Sequence, residues 1–222
     1  MRILKISLLI IIMFSVSMAV MPPKPGLFDL ETGKSITTGD PLPQFPDHFG
    51  QPIGGAKLSV DVTGVGKMAV ILVDFPDRLA DPDAHPVSEY ESMIFSTDEY
   101  PSGSLNEFFI ENSYGLYSVE GAVYGWVTTG QQYSYFDDGN YGLSYGGPRV
   151  AEAAAELTDP FVDYSQFDND GPDGIPNSGD DDGYVDAFTV VHAGLGGEDS
   201  GDSHDIWSHA SSIGYTTNDF RT

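Results

Sequence analysis

The sequence of 222 residues contains no cysteine. Disulfide bridges are therefore excluded, and any long loop in this chain needs another source of order, such as a bound metal ion. Cations are also scarce, because nine Lys and Arg face 34 Asp and Glu, which gives a formal net charge of -25 at pH 7. A surface of that sign repels phosphate backbones and anionic lipids, so nucleic acid and anionic membrane are excluded as partners.

Long hydrophobic runs are absent except at the N-terminus. The apolar run at residues 6–16 follows Arg2 and Lys5 and precedes a Ser17-Met18-Ala19 triplet with small residues at both ends. It is shorter than the roughly 20 residues of a membrane-spanning helix, which favours a cleaved signal peptide over an uncleaved anchor. We therefore expect residues 1–19 to be removed, and the protein to be secreted without further membrane attachment.

The rest of the chain divides by composition. Residues 20–56 are rich in Pro and Gly and have neither a helical nor a strand period, which predicts a leader or pro-segment. Residues 57–222 have the size of one ordinary domain, or of part of a larger one.

Apolar runs and helix signals alternate in this domain. The runs at residues 67–75 and 184–192 predict buried strands. Residues 116–120 and 122–127 predict two further strands joined by a tight turn near Gly121. The pattern indicates an α/β fold, with a mixed sheet and flanking helices.

Three helices are predicted between the strands. Ser88 with Glu91, and Ser104 with Glu107, have the spacing of capping boxes and so predict two helix starts. Pro148 predicts a third start, with a helix over residues 149–157.

An acidic, glycine-rich loop precedes the last predicted strand. Between Asp159 and Asp205 the chain carries 13 acids and no Lys or Arg. Calcium takes six to eight oxygen ligands, and glycine lets a short loop turn sharply enough to aim them inward. The alternative is a solvated acidic turn, since Asp and Gly also form ordinary turns.

The ligands follow a DxDxDGxxD pattern that is interrupted after Gly171. A continuous EF-hand pattern that starts at Asp168 fails, because its fifth position is Pro172. The interrupted pattern places a calcium site within residues 168–186. Its predicted ligands are side-chain oxygens and one main-chain carbonyl, from Asp168, Asp170, Asp182, Tyr184 (the carbonyl) and Asp186.

A family resemblance is carried by four sequence blocks that follow one another along the chain. They are AVILVDFPD, SLNEFFIENSYGLYSVEGAVYGWV, FDNDG with DDGYVDAFTVVHAG, and SHDIWSH. Over residues 67–209 the chain resembles the N-terminal part of the catalytic domain of the immune inhibitor A family of secreted zinc metalloproteases, peptidase family M six. The resemblance implies a secreted endopeptidase that acts on proteins or peptides. It further implies a metzincin-like (zincin) domain, structural calcium, and zinc in the full-length enzyme.

The same resemblance places Asp205, Trp207 and Ser208 in a strand near the substrate-binding edge, where an extended peptide could pair with the main chain. The alternative for Trp207 is a place in the core.

The zinc-binding motif of such enzymes, HExxH, is missing. None of the five histidines is followed by glutamate, and His204 and His209 are five residues apart, a poor spacing for one helical face. We therefore expect an incomplete subdomain, truncated before the HExxH helix and inactive alone, with no catalytic or zinc-binding residue of its own.

Two other classes stay open. The loop also resembles the calcium loops of thrombospondin type three repeats, which would make the chain a non-enzymatic extracellular calcium-binding or adhesive module. The second class is a pseudoenzyme that kept the substrate edge and the calcium loop as a binding protein.

An aromatic cluster could bind carbohydrate by stacking, or could pack a loop on the core. Its members are Tyr133, Tyr135, Phe136, Tyr141 and Tyr145.

Overall fold

The computed structural model describes residues 63–169, 171–176, 178 and 180–219. The predicted signal peptide (1–19), the predicted leader (20–56) and the predicted ligand Asp170 lie outside the described residues.

The described chain alternates strands and helices, which confirms the α/β class. In chain order the elements are strand β1 (Gly64–Asp74), helices α1 (Val87–Phe95) and α2 (Leu105–Asn112), strand β2 (Tyr117–Thr128), helices α3 (Tyr133–Asp137) and α4 (Gly146–Thr158), a 3-10 helix (Tyr164–Phe167), strand β3 (Ala187–His192) and helix α5 (Gly197–Ser200). None of the helices within this described part is long and apolar enough to cross a bilayer.

The sheet is built around β1, with β2 on one side and β3 on the other. Both neighbours run parallel to β1. This corrects the expected mixed sheet for the described strands. The physical reason is that helices lie between consecutive strands, and a connection through a helix returns the chain to the end of the sheet from which it started.

Both faces of β1 are covered, which explains its continuous apolar run. Ile71 and Val73 pack in one cluster with residues of α4, such as Val150 and Ala154. The alternate residues Met68, Val70 and Leu72 pack in a second cluster, against α1 and β2. Since successive strand residues point to opposite faces, a strand between two helical layers needs apolar residues at every position.

One continuous strand replaces the two short strands expected around Gly121. A β-carbon at Gly121 would lie 1.9 Å from the Met68 carbonyl oxygen of β1. The glycine therefore allows a close approach between neighbouring strands and forms no turn. The expected tight turn is wrong because glycine has both uses, and the sequence does not distinguish them.

The capping box of α2 is confirmed. The Glu107 amide donates to the Ser104 hydroxyl at 3.1 Å, and the Ser104 amide donates to the Glu107 carboxylate at 2.7 Å. The box expected at Ser88 is wrong, because α1 begins at Val87 and its N-cap is Pro86, without a side-chain cap. Pro86 already has the extended backbone of an N-cap, so the helix starts ahead of the serine.

Helix α4 begins at Gly146, three residues before the expected start. The Asp138 carboxylate accepts hydrogen bonds from the backbone amides of Tyr145 at 3.0 Å and Gly146 at 3.2 Å. These amides open the helix and would otherwise lack partners. A cap supplied by Asp138, from earlier in the loop that leads into the helix, therefore extends α4 backward, which the usual capping pattern does not predict.

We predict that Ser104→Ala lowers the free energy of unfolding by about 1–2 kcal/mol, because it removes a cap to the first turn of α2. It also removes the hydrogen bond that the buried Ser104 hydroxyl donates to the Ser96 carbonyl. Urea denaturation followed by circular dichroism measures the change. Ser88→Ala is the matched control and should change stability by less than about 0.5 kcal/mol; equal losses in the two variants would contradict the assignment.

Candidate functional site

The acidic loop joins the 3-10 helix to β3, and its two ends are tied together by backbone and carboxylate hydrogen bonds. The Asp186 amide donates to the Phe167 carbonyl at 2.8 Å. The Gly183 amide donates to the Asp168 carboxylate at 3.0 Å, and the Asn169 amide donates to the Asp186 carboxylate at 2.9 Å. The two halves of the interrupted pattern therefore lie side by side, with the intervening residues looped out between them.

Asp181 organises the looped-out part. Its side chain is buried, with 4% exposed, and accepts from the amides of Gly171 at 3.0 Å and Ser178 at 2.8 Å. A β-carbon at Gly171 would lie 2.8 Å from carboxyl atoms of both Asp180 and Asp181, so glycine is needed where these acids close on the backbone. The sequence pattern did not single out Asp181, because adjacent aspartates are equivalent until the fold buries one of them.

The predicted ligands Asp182 and Tyr184 are exposed. The Asp182 carboxylate accepts from the Tyr184 amide at 2.9 Å, which makes a short local turn. Nearby, a hydrogen bond from the Ser178 hydroxyl holds the pKa of Asp180 below its ordinary value. This outer part of the loop remains accessible to solvent and to ions.

Asn169 is a further candidate ligand that the pattern missed. The residue is 7% exposed, and its amide nitrogen donates to the Val65 carbonyl of β1 at 2.9 Å. Its side-chain oxygen Oδ1 is buried and makes no hydrogen bond. A buried amide oxygen without a partner is costly, and it is also the type of hard oxygen that calcium accepts.

These side chains do not converge in the described structure. Among the described residues, no three of the His, Asp and Glu side chains are grouped closely enough to hold a metal ion. The carboxylates are instead turned toward backbone amides of the loop.

The residues expected at the substrate edge form an irregular segment rather than a strand. Asp205 is buried and pairs with Arg78 at 2.7 Å, and the Arg78 guanidinium lies 3.6 Å from the centre of the Tyr133 ring. Ser208 donates its amide to the Glu198 carboxylate at 3.2 Å, and its hydroxyl also bonds to that carboxylate. These contacts fix the segment beside the end of β3.

Trp207 lies in the core, the alternative that the sequence left open. Its side chain is buried, and its ring packs edge-on against Tyr141 with 5.4 Å between centroids. Its amide donates to the Tyr141 carbonyl at 2.9 Å. Trp207 therefore anchors the segment through both its side chain and its backbone.

The described histidines near this segment have separate partners. His192 ends β3 in a buried position, 3.3 Å from the Ala193 carbonyl oxygen. His209 lies 2.7 Å from the Trp207 carbonyl oxygen, and a β-carbon on Gly147 would lie 1.9 Å from its ring. His204 is exposed and lies 3.3 Å from the Asp137 carboxylate. Their positions do not form a shared zinc site.

Burial lowers the pKa of both His192 and His209, because the charged imidazolium is poorly solvated in the interior. Hydrogen bonding to a neighbouring carbonyl acts in the opposite direction and is the smaller effect at each histidine. Both side chains are therefore neutral members of the packed structure near neutral pH.

The described residues thus form an α/β domain with a parallel sheet and an acidic loop that leads into β3. Residues 61–220 match the family described as immune inhibitor A peptidase M6, catalytic domain. The chain belongs to this family, which confirms the resemblance seen in the sequence blocks.

Two relatives give the extent of the match. The chain is 30% identical over 176 residues to immune inhibitor A of Bacillus thuringiensis subsp. alesti, which covers 67% of this chain and 26% of the relative. It is 26% identical over 185 residues to the pre-pro-metalloprotease PrtV of Vibrio cholerae serotype O1 (strain M66-2), which covers 71% of this chain and 20% of the relative. The matched region thus spans about a quarter or less of the length of either relative.

We predict that the free energy of unfolding falls as the pH drops from 7.5 to 5.5. The pKa values of His192 and His209 are lower in the folded state than the unfolded value of about 6.5, so the unfolded chain binds more protons in this range. The stabilisation that comes from keeping these two histidines neutral is therefore fully present above about pH 6.5 and is lost as the pH falls below it. Urea denaturation at several pH values measures the slope.

His209→Asn should flatten this slope, since asparagine keeps a donor near the Trp207 carbonyl but does not titrate. The change is at most about 1.4 kcal/mol per pH unit, the value for one proton. His85→Asn makes the same change at a histidine away from this segment and serves as the matched control. An unchanged slope in His209→Asn would show that this histidine does not contribute.

Proposed function

We propose that the chain forms the N-terminal part of the catalytic domain of a secreted, zinc-dependent endopeptidase, with a metzincin-like fold. The observation that carries the proposal is the family match over residues 61–220, which includes the whole described sheet and the acidic loop. One relative, PrtV of Vibrio cholerae, is a metalloprotease by name, which supports the reaction class. Protein or peptide substrates follow from that class.

We propose that the zinc site is not supplied by the described residues. His192, His204 and His209 have separate backbone or carboxylate partners, and the 222-residue sequence contains no HExxH. In a zinc protease of this type the metal activates water for attack on the peptide bond. We propose that the zinc ligands and the general base belong to residues beyond this sequence, so that the chain alone is inactive.

The contribution of this chain is then structural and positional. The Arg78–Asp205 ion pair and the buried Trp207 hold the segment around Ser208 against the end of the sheet. A fixed, irregular segment at that place can offer main-chain groups to an extended peptide. We propose that Asp205, Trp207 and Ser208 form the base of a substrate edge, with the first two acting through their anchoring contacts.

We further propose that the acidic loop binds a structural calcium ion. The donor set consists of oxygens alone, and the two ends of the loop already lie together through Asp168, Asn169 and Asp186. The proposed ligands are Asp168, Asp170, Asp182, the Tyr184 carbonyl and Asp186, and the buried Asn169 Oδ1 is an additional one. Bound calcium would supply positive charge to a stretch of 13 acids that contains no Lys or Arg.

The non-enzymatic adhesive module is less well supported. Such modules repeat their calcium loops in tandem, whereas this loop occurs once and is fused to β3 of the sheet. The family match covers the surrounding elements as well as the loop.

We predict that calcium raises the melting temperature of the chain. A ligand that binds the folded state at 100 times its dissociation constant stabilises it by about 2.7 kcal/mol. Asp168→Asn and Asp186→Asn should reduce the rise, because each removes a charged ligand but keeps an oxygen that can accept from the backbone. Scanning calorimetry with and without millimolar calcium measures the effect.

Asp83→Asn is the matched control, since it makes the same change of charge at an exposed position outside the loop. Magnesium at equal concentration controls for general screening, because magnesium gives up its water reluctantly. If isothermal calorimetry detects no calcium binding at millimolar concentration, the proposed calcium site is wrong.

We predict that the 222-residue chain does not cleave casein, with or without added zinc, because it has no HExxH. Release of acid-soluble peptides measures cleavage, and thermolysin in the same assay confirms that the casein is cleavable. Cleavage that a chelator abolishes, in a preparation of this chain alone, would overturn the assignment of the zinc ligands to residues beyond it.

A further inference from the structure

The basic side chains of the described residues are Lys67, Arg78 and Arg149. Lys67 pairs with Glu120 at 2.9 Å, and Arg78 pairs with Asp205 at 2.7 Å. Arg149, in the first turn of α4, belongs to none of the ion pairs between described residues. Among the residues that the structure describes, no carboxylate pairs with its guanidinium, even though acids greatly outnumber bases in this chain.

Two tyrosines hold Arg149 instead. Its guanidinium carbon lies 4.9 Å from the centre of the Tyr135 ring and 5.7 Å from the centre of the Tyr145 ring. The two tyrosines are 48% and 58% exposed. We call Tyr135, Tyr145 and Arg149 the Arg149 cluster. Its cation lies against two aromatic rings at the surface, where the ring quadrupoles attract it.

The cluster is preformed by contacts beneath it. Tyr145 is the N-cap residue of α4, and its amide is held by the Asp138 carboxylate. Tyr135 belongs to α3, and its ring packs edge-on against the buried Phe136 with 5.1 Å between centroids. A partner would therefore meet a Tyr145 backbone and a Tyr135 ring that are already held in place, which favours binding.

The geometry of the rings argues against a stacked sugar. Of the five aromatic residues noted in the sequence, Tyr133 and Phe136 are buried, and Tyr141 packs on Trp207. The two that remain at the surface already contact the guanidinium, and Tyr135 also contacts Phe136. A sugar needs an open, flat ring face, whereas this cluster offers a guanidinium beside aromatic surface.

We propose that the Arg149 cluster is a docking site for a peptide segment of a partner protein that carries one carboxylate next to an apolar side chain. The guanidinium fork matches a carboxylate, and exposed tyrosine with arginine is the composition of binding hot spots. The net charge of -25 repels strongly acidic partners, so a segment with a single carboxylate fits better than an acidic tract. The proposal does not depend on the proteolytic function.

The test is a titration of the full 222-residue chain with two capped dipeptides, acetyl-Phe-Glu-amide and acetyl-Phe-Gln-amide. Side-chain Nε–Hε signals of arginine, measured by NMR, report on each guanidinium separately. We expect the glutamate peptide to shift the Arg149 signal, and the glutamine peptide to bind at least about tenfold more weakly. The Arg78 signal is the internal control, because its guanidinium is paired with Asp205.

Two variants of Arg149 test whether its guanidinium recognises the carboxylate. Arg149→Lys keeps the charge but loses the fork, and should weaken binding of the glutamate peptide about tenfold. Arg149→Gln should abolish the preference for glutamate over glutamine, observed through chemical shifts of the tyrosine rings. Equal binding of the two peptides, a preference that survives Arg149→Gln, or tighter binding of methyl glucuronide than of either peptide would each overturn the proposal.

Discussion

The central position of β1 is the constraint on which the rest of the structure depends. The strand is paired on both sides, and its alternating residues pack into helical layers on both faces. The enclosed part of the strand, residues 68–73, has no edge exposed to solvent and no polar face, so its sequence must be apolar. The acidic loop lies where the parallel strands β1 and β3 begin, and the segment around Asp205 lies beside the place where they end.

The fold could be predicted where local sequence determines it. The apolar run of β1 and the capping box of Ser104 depend on neighbouring residues alone, and both are found as expected. The cap of α4 comes from Asp138, eight residues before Gly146 in the loop that leads into the helix, and the role of Gly121 depends on the approach of Met68 from another strand. Both contacts lie beyond the short spacings that periodicity and capping rules include.

In the candidate site, too, the features set by local sequence could be predicted and those set by more remote contacts could not. Its location follows from the density of acids and glycines, and the two halves of the interrupted pattern do lie together. Which acid is buried could not be predicted, since Asp181 and Asp182 are adjacent and alike until the loop folds. Asn169 gained its position from a hydrogen bond to Val65, and Asp205 from an ion pair with Arg78, both far away in the sequence.

The parallel pairing of β1 with β3 has a consequence for the order of folding. Met68 is paired with Ala187, a partner about 120 residues later in the chain, and contacts of such long range form slowly because the intervening chain must first be closed into a loop. The pairing of β1 with β2 spans about half that distance and so closes at a lower entropic cost. Ordering of the acidic loop, whose far end leads into β3, is therefore a late event in the assembly of this domain.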